Sequence, residues 1–101
     1  MDQKNDTQYL LLSMHILSFA SNLEEAETYD LISLLDNAYR ITAKTDNQGE
    51  PIWAKVYVTS HDPKIWIDTR SRTVRAAWRG FLIAAPLSYD ICFRILALLD
   101  R

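Results

Sequence analysis

The sequence predicts a small α+β domain: a three-stranded antiparallel meander over residues 38–68, with a helical pair before it and helices after it, all packed on one sheet face. Two observations carry that prediction. Between Ala38 and Asp68 apolar and polar residues alternate with a period of two, as half-buried strands require. On either side the apolar residues recur at helical spacing instead. The 101 residues suit one compact domain, 1–101, with a frayed polar start over 1–7.

In chain order, Asp6 or Thr7 can cap a first helix running to about Ser21. From Tyr9 to Ala20 its apolar residues go nearly all the way round, so burial on more than one side is expected. In so small a chain the second side can belong to another copy, and a homodimer through this helix follows as an expectation. Ser21 with Glu24, and Asn22 with Glu25, are two overlapping capping boxes for a second helix to about Asn37. Leu31, Leu34 and Leu35 form its inner stripe.

The meander follows. Tyr39, Ile41 and Ala43 alternate with Arg40, Thr42 and Lys44. Asp46 to Glu50 gathers turn formers, with Gly49 free to take a positive φ. Ile52, Ala54, Val56 and Val58 alternate with Trp53, Lys55, Tyr57 and Thr59, then Pro63 sits in a second turn before Ile65, Trp66 and Ile67. One face therefore holds the aliphatic residues, with Tyr39. The other holds Arg40, Lys44 and Lys55 among Trp53, Tyr57 and Trp66.

Beyond Asp68 two readings compete. Val74, Ala77, Trp78 and Phe81 fit one helix face, with Arg72, Arg75 and Arg79 outside it. A fourth strand over Thr73–Arg79 fits as well. Gly80 weighs against the helix, but the alanines favour it, and the helix is preferred. Pro86 ends this element. Ser88 caps a last helix, Tyr89–Leu99, with Cys92, Ile95, Leu96 and Leu99 inward.

Composition narrows the function. The formal charge of −2 gives no global attraction to nucleic acid or anionic membrane. Its distribution is uneven: residues 1–36 hold seven acids against Lys4, a balance of −6, and residues 37–101 hold ten bases against six acids, a balance of +4. The lone Cys92 excludes an internal disulfide and a two-cysteine metal site within one chain. Met1–Thr7 lacks the basic start of a signal peptide, and Tyr9–Ala20 is too short to span a bilayer. A cytoplasmic protein without membrane contact is expected. A Cys–His dyad needs hydrogen-bonding reach, and Cys92 at an inward helix position, His61 in a Pro-containing turn and His15 in the apolar first helix read as structural or solvated; no phosphate-binding or hydrolase motif occurs. The expectation is a non-enzymatic chain with no cofactor, no metal and no catalytic residue.

Two surfaces remain as candidates. Trp53, Tyr57 and Trp66 with Lys55, Arg40 and Lys44 have the composition of a protein-binding hot spot, and also that of a stacking platform for single-stranded nucleic acid. The same rings could instead pack on one another or beneath a helix. Arg70, Arg72, Arg75 and Arg79, taken at helical spacing, would grip phosphates or a partner's carboxylates, or else answer the chain's own glutamates. The leading reading is a small adaptor, inhibitor or immunity-type protein that docks on another protein. A weak nucleic-acid binder using both surfaces ranks second.

Overall fold

The computed structural model describes residues 3–100. Element order is α1 (Gln3–Glu24), α2 (Thr28–Asp36), β1 (Arg40–Thr45), β2 (Pro51–Tyr57), β3 (Lys64–Asp68), β4 (Thr73–Trp78), β5 (Phe81–Pro86) and α3 (Tyr89–Leu99). The α+β class stands. The sheet has five strands, each antiparallel to its sequence neighbour, in the order β1-β2-β3-β4-β5, and not three or four.

The extra strands replace the helix preferred after Asp68. Trp78 pairs with Phe81, so only Arg79 and Gly80 connect β4 to β5, and both have positive φ, 49° and 82°. Two such residues in succession match the twist of a tight hairpin. Gly80, a penalty in a helix, is suited to this turn. The first three strands form the expected antiparallel meander, and its register sets Ile41 opposite Val56 and Val56 opposite Ile67. Their turns are held by side chains. Asp46 Oδ1 accepts from the Gln48 and Glu50 N–H groups, at 2.8 and 3.0 Å. Thr59 Oγ1 donates to the Pro63 carbonyl and accepts from Ile65 N–H.

All packing lies on one face. Val56, Ile67, Val74, Ala76 and Ala85 are fully buried and meet Leu12 and Ile16 of α1, Leu31 of α2, and Ile91 and Ile95 of α3 in one core. In α3 the inner stripe is Ile91, Cys92 and Ile95, with Leu96 and Leu99 only half-buried. The first hairpin runs past this cover. Tyr39, Ile41, Ala43 and Ile52, expected inside by their alternation, are exposed, and α3 meets this hairpin only across an open cleft at Ile52.

The helical pair also differs from expectation. Residues 1 and 2 lie outside the described part, and α1 begins at Gln3. Helix α1 continues through Ser21 and Asn22 to Glu24, so neither proposed capping box starts α2. Glu27 does, with its N–H donating to the Asp30 carboxylate at 3.1 Å. Glu24 is used elsewhere: its carboxylate accepts from the Ser88 N–H at 3.1 Å and the Ser88 hydroxyl at 2.6 Å. Ser88 Oγ in turn accepts from Ile91 N–H, capping α3. The end of α1 is thereby fastened to the start of α3.

Candidate docking face and cleft

Alternation decides what the opposite sheet face carries. Because Ala54, Val56, Ile65, Ile67, Val74 and Ala76 turn inward, the residues between them turn outward. Cross-strand register then sets them in rows. Arg40 stands opposite Tyr57, Tyr57 opposite Trp66, and Trp66 opposite Arg75. The Arg40 guanidinium lies 4.8 Å from the Tyr57 ring centroid. The Tyr57 and Trp66 rings stack at 6.2 Å with 29° between their planes. A cation, two rings and a second cation thus cross four strands in one line. Among these, Tyr57, Trp66 and Arg75 are half-buried and Arg40 is exposed. The rings do pack on one another, but no described helix seals them.

Lys44 stands opposite Trp53 two rows further along the hairpin, beyond Thr42 opposite Lys55. Lys55 faces Asp68 across the β2–β3 pair. That carboxylate is committed to the chain: Oδ1 accepts from Arg70 N–H at 3.0 Å and from Ser71 N–H at 3.3 Å. It shapes the β3–β4 turn. Thr69 then ties the turn to β2, its N–H and hydroxyl both reaching the Ala54 carbonyl while Oγ1 accepts from Ala54 N–H.

This turn, the β1–β2 hairpin and α3 enclose a cleft of about 440 Å³, within the range of small-ligand sites. Its walls carry three cations, Lys44, Arg70 and Arg72, and three rings, Trp53, Tyr89 and Phe93, with no acidic side chain among the lining residues. Tyr89 and Phe93 stack at 6.3 Å, one helical turn apart on α3. The Arg70 guanidinium sits 6.0 Å from the Trp53 ring. Cations set among rings suit an anionic group attached to an apolar or planar body.

The four arginines do not form the single cluster that helical spacing implied. Arg70 and Arg72 belong to the cleft, Arg75 to the aromatic row, and Arg79 to the β4–β5 turn, 4.8 Å from the Trp78 ring. Only Arg75 lies within β4; Arg70 and Arg72 precede the strand and Arg79 follows it, so its extended backbone sets them apart. Arg75 is also half-buried, with Nε donating to Thr73 Oγ1 at 3.1 Å. Sequence reasoning missed Tyr89 and Phe93. Two exposed rings at i and i+4 beside the inward stripe of α3 are the signal that marks them.

Cys92 lines the cleft as a buried thiol. Burial first, and then the Glu24 carboxylate, push its pKa up to about 11 from 9.0. At pH 8 it is therefore expected to alkylate ~100-fold more slowly than a free cysteine, since the thiolate is the reactive form. Timing iodoacetamide labelling by mass spectrometry, native against denatured, checks this; equal rates would contradict it. Among the described residues no three His, Cys, Asp or Glu side chains are grouped to hold a metal ion. No described helix is long and apolar enough to cross a membrane. Comparison of the chain with protein-family models, curated proteins and solved structures gives no match.

Proposed function

We propose that this chain is a non-enzymatic protein-interaction module, a small cytoplasmic adaptor, inhibitor or immunity-type protein that docks on an acidic surface of another protein. Trp53, Tyr57, Trp66, Lys55, Arg40 and Lys44 make the contact, extended by Arg75 and by the cleft, which takes a carboxylate beside an apolar side chain. One observation supports this above the rest: the row Arg40–Tyr57–Trp66–Arg75 lies on the sheet face that the helices leave open. Aromatic rings flanked by arginines are the composition of binding hot spots. The acidic residues from Glu24 to Asp36 lie at the end of α1, in the connection after it and in α2, on the helical side of the sheet, so they do not neutralise this face.

Arg72 strengthens the case. Its φ is +56°, a conformation that costs a non-glycine residue about 1–2 kcal/mol. Yet the position holds a long cation, set into the cleft wall. Arg72→Gly is expected to raise stability by about 0.5–1 kcal/mol, after allowing for the greater freedom of glycine in the unfolded chain. The same change is expected to weaken partner binding about tenfold. Urea unfolding and binding measured on one preparation check both signs; a loss of stability, or unchanged binding, would contradict the assignment.

Affinity capture tests the function itself. Wild type should recover a protein that the Tyr57→Ala/Trp66→Ala variant does not, and equal recovery removes this face as the site. The second reading, single-stranded nucleic acid, draws on the same stacked rings. A mobility shift at low salt that weakens steeply with added salt would favour it over the protein partner.

A further inference from the structure

Helix α1 buries Leu12, Ile16, Ala20 and Leu23 against the core. Its opposite side is equally apolar but uncovered: Leu10, Leu11, Met14 and Leu17 are 59, 59, 57 and 58% exposed. From Thr7 to Leu23 the helix has no Asp, Glu, Lys or Arg. Recognition of a different protein usually draws on charges for steering and for register, and helices that lie on membranes carry basic residues on their polar face. This stripe has neither.

It does have symmetry. Counted from Met14, exposed leucines stand three residues away on both sides, Leu11 and Leu17. Small hydroxyl residues, Thr7 and Ser21, stand seven away on both sides and are exposed as well. At four residues the match is looser, Leu10 against Ser18. The pattern is nearly the same read in either direction, with its apolar part in the middle. In an antiparallel twofold contact centred on Met14 such a pattern sets like against like, because each copy presents the same patch to the other. The 3-4 spacing of Thr7, Leu10, Met14, Leu17 and Ser21 is that of helices packing side by side.

The geometry points to an antiparallel homodimer through α1, with its twofold axis at Met14, so that residue i of one copy meets residue 28 − i of the other. Met14 then packs on the partner's Met14, and Leu11 on the partner's Leu17. Because α1 and the aromatic row lie on opposite faces of the sheet, the two docking faces of such a dimer point outward and apart. Each is free to hold a partner. The inference does not rest on the docking proposal and fails separately from it.

Single cysteines test the register. On mild oxidation, Met14→Cys should link to itself across the axis. Leu11→Cys should not, because in this register the two positions lie six residues apart, about 9 Å along the axis, beyond the ~7 Å that a disulfide spans. A mixture of Leu11→Cys and Leu17→Cys chains should form the mixed dimer. Cys92, being buried, serves as the silent native thiol. Sedimentation equilibrium of wild type at 10–100 μM (roughly the range that resolves modest dimers) should give twice the 11.7 kDa chain mass. Met14→Glu should raise the dissociation constant at least 100-fold, and Met14→Glu mixed with Met14→Lys should restore a 1:1 dimer. A wild-type monomer throughout that range overturns the dimer. Self-linking at positions 11, 14 and 17 alike would show a parallel pair and overturn the register.

Discussion

Tyr57→Ala with Trp66→Ala is expected to lower affinity for the proposed acidic protein partner by about 100-fold. The two rings form the centre of the four-strand row, stacked at 6.2 Å and flanked by Arg40 and Arg75. Central aromatic residues commonly contribute 2 kcal/mol or more each at an interface, and coupled neighbours add less than their sum. About 3 kcal/mol, or 100-fold, is the consistent expectation. Because both rings are half-buried, the double variant also loses some stability. Arg40→Glu/Arg75→Glu separates the two effects: it leaves the stacked pair in place and reverses the charge that an acidic surface would meet. Titration calorimetry with the captured partner should show both variants weakened. If the charge reversal binds like wild type, the partner is not acidic at this face.

Ile67→Ala destabilises the domain by about 3 kcal/mol, the cost of a buried large-to-small change that leaves a cavity. Ile67 is fully buried in the central strand, opposite Val56 on one side and Val74 on the other. Residues from α1, α2 and α3 meet the same cluster, so little can collapse into the gap. For a domain with 5–15 kcal/mol of total stability this is a large fraction. The urea midpoint should fall while the slope stays constant. Ile52→Ala is the contrast. Its alternation matches that of Ile67, but it lies on the exposed end of the hairpin, and its loss should be within about 0.5 kcal/mol.

That contrast shows where the sequence was legible. The antiparallel order of β1, β2 and β3 could be read because strict alternation is broken by turn formers at Asp46–Glu50 and at Pro63. Alternation gives a residue's face but not how far the cover extends, so Ile41 and Ile52 were expected inside. Residues 73–86 misled for a different reason. Val74, Ala77, Trp78 and Phe81 satisfy a helical period, and the alternation of Val74, Ala76, Ile83 and Ala85 satisfies a strand equally well. Arg79-Gly80 between Trp78 and Phe81 was the deciding signal, a two-residue turn rather than a flaw in a helix. Once β4 is a strand, its arginines separate, and one joins the aromatic row. The cleft was out of reach, because it needs α3 brought against the first hairpin by contacts distant in sequence.

Hydroxyl-radical footprinting of the chain, free and bound to its captured partner, tests the docking face most directly. Trp53, Tyr57, Trp66, Tyr89 and Phe93 should lose reactivity in the complex, while Tyr29 on α2, 78% exposed, should react as before. Protection of Tyr29 with the sheet rings unchanged would place the partner on the other side of the molecule and contradict the assignment.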